Sequence, residues 1–245
     1  MKLNVIGTGS AGNSYLLTSS TGKTLIIECG VRFSEIKKAL KFNLRNVEGT
    51  LCTHHHQDHC KGAKDLTAAG LNLYCLKETS DTFKFSNHRI KNIAPGKQFE
   101  LGEFKILPFS VEHDVPCLGF LIYHWECGRT LFLTDSFMVK QRFSGLNNII
   151  IEANYGEDIL DEKLDTGGMQ QWRGERLVKS HMSIETCIGV LKANDLSNVN
   201  NIILIHLSDS NSDKDQFLKK VQDQTQKTVH VAHRGLEINL NLHPF

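Results

Sequence analysis

Residues 53–59 read T-H-H-H-Q-D-H, which puts three consecutive histidines, a carboxylate and a fourth histidine into one short run. In an extended segment, side chains two apart project to the same side, so His54 and His56 share a face. Asp58 and His59 follow after a turn. Neutral imidazole and carboxylate are donors for Zn²⁺, and they also suit Mn²⁺, Fe²⁺ or Co²⁺. Four ligands this close together crowd a single ion, and dividing them between two adjacent metals is geometrically easier. The cluster is internal and follows a short apolar strand (GTLCT, 49–53), which sets it apart from a solvated polar loop or a cloning tag.

Further ligands are needed, and three stand where apolar runs end. His113 follows FKILPFSVE, Asp135 ends TLFLTD, and His206 ends NIILI. A lone His or Asp at a strand end is usually a cap or a turn residue. Three of them in a chain that already carries the cluster form a joint pattern, in which each strand delivers one polar group to the rim of a sheet.

The elements that must position these groups are short and β-rich at first. LNVIG (3–7), SYLLTS (14–19) and TLIIE (24–28) are separated by Gly/Ser punctuation, as hairpin-linked strands are. FSEIKKALKF (33–42) has a helical period, KGAKDLTAAG (61–70) reads as a helix closed by Gly70, and LNLYCL (71–76) as a strand. The second half repeats this grammar with strands at 104–113, 118–124 and 130–135 and a continuous apolar strand, NNIIIEAN (147–154). A helix over 183–194 has Ser183 as N-cap and Glu185 in its first turn. A strand at 201–208, a helix at 212–225 and strands at 229–233 and 236–240 follow. Residues 165–181 mix Gly, Trp and basic side chains and read as a loop or lid. The pattern predicts one mixed α/β domain over residues 1–245, with two packed sheets and outer helices.

Composition bounds the rest. The 245 residues carry 28 Lys plus Arg against 27 Asp plus Glu, a net charge of +1, so the chain is neither a polycation that coats nucleic acid nor an acidic tail. Hydrophobic residues make up 40% and charged residues 22%, a globular balance. There is no apolar run of the roughly 18 residues that a bilayer span needs. The N-terminus reads as a strand and a glycine loop rather than a signal peptide. Seven cysteines, an odd number without a C-x-x-C pair, read as reduced buried thiols of a cytoplasmic protein.

H-H-H-Q-D-H resembles the H-x-H-x-D-H signature of the metallo-β-lactamase superfamily, and the order cluster, His113, Asp135, His206 is similar to that family's ligand order. The resemblance covers nearly the whole chain. It implies a four-layer αββα sandwich of two mixed β-sheets flanked by helices. It also implies two divalent metal ions, Zn²⁺ foremost, with Mn²⁺ or Fe²⁺ as alternatives. His54, His56 and His113 would hold one metal, Asp58, His59 and His206 the other, and Asp135 would bridge them. The family usually places Asp at the end of its third strand behind the cluster; here Glu28 stands there, and its carboxylate can still accept a histidine N–H.

Local details resemble the YycJ-type exonuclease/phosphodiesterase branch: G-T-G-S-A-G-N-S (7–14), I-E-A-N-Y (151–155), S-H-M-S (180–183) and H-L-S-D-S-N (206–211). That likeness implies an enzyme, a metal-dependent hydrolase of phosphodiester bonds in DNA or RNA, with exonuclease-like action and a metal-bridging hydroxide attacking phosphorus. Asp58 would orient the nucleophile. His181, at an expected helix N-terminus, would contact a phosphate oxygen with Ser183 and would stabilise the developing charge or protonate the leaving oxygen, or would be an ordinary helix residue. Arg173 and Arg176 would line a phosphate track or a solvated loop, and Trp172 would stack on a base or pack the loop down. The alternatives are a thioester or lactone hydrolase of the glyoxalase II type, and a cyclic or small-molecule phosphodiesterase on the same fold. A homodimer would supply extra binding surface. No membrane partner is expected.

Overall fold

A computed structural model describes residues 1–243. In chain order its elements are β1 (Lys2–Gly7), β2 (Ser14–Thr18), β3 (Thr24–Ile27), α1 (Phe33–Ala39), β4 (Val47–Leu51), α2 (Gln57–Cys60), α3 (Ala63–Ala68), β5 (Leu73–Cys75), α4 (Lys77–Asp81), β6 (Ile90–Asn92), β7 (Phe99–Leu101), β8 (Phe104–Val111), β9 (Cys117–His124), β10 (Gly128–Leu133), β11 (Leu146–Glu152), α5 (Glu157–Asp165), α6 (Gln171–Ser180), α7 (Ile184–Lys192), β12 (Asn201–Ile205), α8 (Lys214–Thr225), β13 (Thr228–Val231) and β14 (Glu237–Asn239).

The strands form two seven-stranded sheets, β14-β1-β2-β3-β4-β5-β6 and β13-β12-β11-β10-β9-β8-β7. Both are mixed and built alike. In the first, β1–β2–β3 run antiparallel and β3–β4–β5–β6 parallel; in the second, β7–β8–β9–β10 run antiparallel and β10–β11–β12–β13 parallel. The repeated rhythm of the sequence is this repeated topology. Only β14 breaks it, crossing back to pair with β1 at the edge of the first sheet.

Alternation along each strand sends one set of side chains between the sheets and the other towards helices. Leu3, Val5, Tyr15, Leu17 and Ile27 of the first sheet meet Phe104, Phe120, Phe132, Ile150 and Ile203 of the second. On the outer face of the first sheet, Ile26 and Leu73 pack under Ile36 of α1 and Leu66 of α3. On the outer face of the second, Ile149, Ile151 and Leu204 pack under Ile184 and Leu191 of α7 and Phe217 of α8. Helix–sheet–sheet–helix layering therefore follows from two-sided burial of apolar strands, as expected from the run at 147–154.

Two expectations need correction. Residues 165–181 are largely helical: α5 and α6 form a hairpin after β11. Helix α6 was obscured because Gly167 and Gly168 precede it and Gly174 stands inside it, and it buries only Gly174 and Ser180, with Leu177 half-buried. Strands β6 and β7, three residues each, were too short to leave a period.

Phe132 is fully buried between the sheets and meets Tyr15 edge-on at 5.5 Å between ring centroids. Phe132→Ala is expected to cost about 3–5 kcal/mol. Urea denaturation should show a lowered midpoint at unchanged slope.

Candidate metal centre and its cavity

The histidine loop leaves the end of β4 and closes with the single turn α2, whose N-cap is His56. Its backbone is held from below. The Cys52 thiol donates to the His54 carbonyl at 3.1 Å and the Cys60 thiol to that of His55 at 3.1 Å. The Asn13 N–H donates to the Asp58 carbonyl at 2.8 Å, and the Cys29 N–H to that of His59 at 2.9 Å. The glycine loop at 7–12 therefore delivers Asn13 as a buttress of the ligand loop and does more than turn the chain. Gly30 is where the backbones come closest: an added Cβ would lie 1.6 Å from the Asp58 oxygen.

The remaining groups come from strand ends. His113 lies two residues past β8, Asp135 two past β10, and His206 directly after β12. Glu28 directly follows β3. Glu28, Asp135 and His206 have φ of 64°, 47° and 56°, left-handed backbone in non-glycine residues. Each costs about 1–2 kcal/mol relative to ordinary backbone. The turn lets a strand running into the rim drop its last polar side chain back towards the centre, and such strain concentrates at functional positions.

Three groups of candidate ligand atoms share Asp135, each with its atoms within 4.8 Å of one another: His54, His56, His113 and Asp135; Asp58, His59, Asp135 and His206; and Asp135, Glu152, His181 and His206. The first two hold the residues expected from the sequence. Asp135 Oδ2 lies 3.6 Å from His54 Nε2, 3.9 Å from His113 Nε2 and 3.2 Å from His59 Nε2. Asp58 Oδ2 lies 3.3 Å from both His59 Nε2 and His206 Nε2.

Whether these residues fit a metal is decided by their other ring nitrogens. A ligating histidine donates its second N–H to an oxygen behind it, which fixes the tautomer. His113 Nδ1 meets the Ser180 carbonyl at 2.8 Å, His206 Nδ1 meets Glu152 Oε1 at 3.0 Å, and His54 Nδ1 meets Thr53 Oγ1 at 2.9 Å. His59 Nδ1 faces Glu28 Oε2 at 3.5 Å, and His56 Nε2 faces Asp114 Oδ1 at 3.6 Å. Three rings, His54, His113 and His206, are thus hydrogen-bonded at one nitrogen, while His56 and His59 only face carboxylates. His54 Nε2 is buried and has no hydrogen-bond partner, a cost that a cation would remove. The donor set fits divalent metal. Glu28 Oε1 accepts the Thr53 N–H at 3.2 Å, while its Oε2 lies 3.5 Å from His59 Nδ1 without a hydrogen bond.

Electrostatics point the same way. Burial opposes ionisation of Asp135, yet His206 and His59 hold its carboxyl well below the usual range. Burial likewise opposes the charge on His206, but Asp135, Asp58 and Glu152 overcome it and push the ring up to about 10. His59 is raised for the same reason, against burial. His54, enclosed and next to other histidines, is pushed down. Protons on His59 and His206 take the place of cations among buried carboxylates.

A cavity of about 650 Å³ opens over these atoms. His56, Asp58, His113, Asp135 and His206 line its floor, His181 its side, and Trp172, Arg173 and Arg176 of α6 its rim. His181 is not at a helix N-terminus; it is the C-cap of α6, and its Nδ1 sits 2.7 Å from Glu152 Oε1. Ser183 is displaced from the expected site. It is buried, lies outside the cavity lining, and caps α7 by accepting the Thr186 N–H at 3.0 Å. Sequence reading missed Glu152 and Asp114. Glu152 ends β11 and accepts the Ser136 and Met182 N–H groups on Oε2 at 3.1 and 3.3 Å. Its position, a carboxylate closing the apolar run III, was the signal, the same one that marked Asp135.

A model described as the Metallo-beta-lactamase superfamily matches residues 7–143, more than half of the chain. The chain is 28% identical over 232 residues to exodeoxyribonuclease WalJ of Streptococcus pneumoniae, covering 87% of this chain and 84% of that protein. It is 25% identical over 234 residues to exodeoxyribonuclease YycJ of Bacillus anthracis, covering 88% and 85%. The metallo-beta-lactamase fold protein YhfI from Bacillus subtilis superposes with a TM-score of 0.73 at 19% identity, over 97% of this chain and 99% of that one, a likeness of fold.

Gly30→Ala must push the ligand loop off its buttress. A stability loss of about 1–3 kcal/mol is expected from the overpacking, together with a metal affinity about 10–100-fold weaker, the size seen when support behind a ligand is lost. Denaturation curves and metal titration check the two effects. Because metal must displace protons from His59 and His206, binding should release protons near neutral pH and weaken as pH falls. Calorimetric Zn²⁺ titration in two buffers of different ionisation enthalpy measures this, and identical heats in both would contradict it.

Proposed function

The chain belongs to the metallo-beta-lactamase superfamily, and from that premise we propose that it is a binuclear metal-dependent phosphodiesterase that degrades nucleic acid, DNA first, from strand ends. The observation that carries the reading is the sharing of Asp135 between two adjacent ligand groups beneath a cavity whose rim bears Arg173 and Arg176. The names of the two relatives aligned over most of the chain, both exodeoxyribonucleases, support DNA and end-directed action. Zn²⁺ or Mn²⁺ suits the donors.

Two divalent ions held there would supply Lewis acidity and lower the pKa of water at the centre. The chain's own residues do the rest. Asp58 orients the attacking oxygen from its place between His59 and His206. Arg173 and Arg176 bind the flanking phosphates. His181, held by Nδ1 on the buried Glu152, presents Nε2 to the cavity and donates a proton to the leaving oxygen. Burial opposes its charge, but Glu152 raises its pKa above the ordinary histidine value, which keeps that proton available near neutral pH. The basic rim favours a phosphodiester over a thioester.

Asp135→Asn is expected to abolish cleavage of end-labelled linear DNA in Mn²⁺ or Zn²⁺. His181→Ala should lower kcat by about 10²–10⁴-fold, the size of a proton-transfer contribution, with metal content unchanged. Full turnover by His181→Ala would remove that residue from the mechanism. No cleavage of DNA or RNA by metal-loaded wild type would overturn the nuclease reading.

A further inference from the structure

Resting on that reading, we propose that Trp172, flanked by Arg173 and Arg176, is a base-stacking subsite that admits an unpaired nucleotide and senses the presence of its base rather than its identity.

Trp172 is 57% exposed. Other large exposed apolar side chains, Phe42, Tyr123, Trp125, Met138 and Val178, do not line the metal cavity; Trp172 does. Its placement owes little to packing. α6 is docked through its opposite side, where Gly174 sits so close to α5 that a Cβ would lie 3.1 Å from Leu164. The far end of α6 is tied to the centre by the Ser180 carbonyl, which accepts from the metal-ligand candidate His113. The indole is held in orientation as well: its Nε1 donates to Gln170 Oε1 at 2.7 Å. The Arg173 guanidinium lies 5.3 Å from the ring centroid, a cation over one aromatic face.

Residues 172, 173 and 176 share the cavity-facing side of the helix. Arg176 has only a 4.0 Å contact with Asp114 and is 69% exposed, so its donors remain available to a phosphate. An oriented aromatic ring with Arg173 over one face and Arg176 one helical turn on, set at the rim of the cavity over the candidate metal centre, has the make-up of a single-strand platform: phosphates to cations, base to ring. Inside a duplex both faces of a base are already covered by its neighbours. Trp172 can therefore take only a base at an end or in an unpaired strand. Stacking uses the π-face that every base has, so the contact tolerates sequence.

The test compares wild type, Trp172→Ala and Trp172→Phe, all metal-loaded, on single-stranded oligothymidylate and on a strand of equal length with abasic residues. Wild type should cleave the thymidylate with a kcat/KM about tenfold or more higher, the size of one stacking contact. Trp172→Ala should lose that preference and Trp172→Phe should keep most of it, with circular dichroism and metal content unchanged. Equal cleavage of both strands by wild type, or a full preference retained in Trp172→Ala, would overturn the proposal. A separate readout covers failure of the nuclease reading itself: in Trp125→Phe protein, thymidylate should quench the remaining indole fluorescence and the abasic strand should not. Quenching without cleavage would uphold the subsite and sink the nuclease reading; no quenching would overturn the subsite.

Discussion

Carboxylates withdrawn from water at the floor of the cavity govern the rest of the structure. Asp135 and Glu152 are buried and Asp58 half-buried, and all three are held below the normal carboxylate range by histidines packed against them. Anions taken out of water are stable only beside positive charge. The carboxylates raise the pKa of His59 and His206, and divalent cations would meet the same demand, because Asp135 is shared by groups of candidate ligand atoms. Metal capacity here is thus a condition on charge balance inside the fold.

The two sheets exist to make that convergence. Each runs through antiparallel strands into parallel ones, and the parallel parts release His54–His59 on one side and Asp135, Glu152 and His206 on the other. Hydrophobic burial between the sheets fixes the rims against each other. Left-handed backbone at Glu28, Asp135 and His206 then aims the side chains. The strain at these three positions is borne by the large apolar interface, and the thiols of Cys52 and Cys60 tie down the loop opposite.

Much of this was legible in the sequence. The histidine cluster and the strand-end polar groups that converge on it were visible because each combines an unusual residue type with a strong local signal, an apolar run that stops. The layering was visible because apolar runs such as NIII read as strands covered on both faces. The failures are equally physical. Glu152 passed unnoticed because one Glu after an apolar run is common, and its role arises only when His181 and His206 meet it from 29 and 54 residues away. Ser183, read both as the N-cap of a helix and as a phosphate contact, is the cap and lies outside the cavity lining. Helix α6 was read as a loop because Gly167, Gly168 and Gly174 punctuate the segment and few of its residues are apolar, while its cavity side carries Trp172, Arg173 and Arg176.

The most direct measurement is anomalous diffraction from crystals of the protein grown with excess Zn²⁺ or Mn²⁺. The account predicts two peaks about 3.5–4 Å apart, one beside His54, His56 and His113 and the other beside Asp58, His59 and His206, with the Asp135 carboxylate between them. A single peak, or none at Asp135, would contradict it.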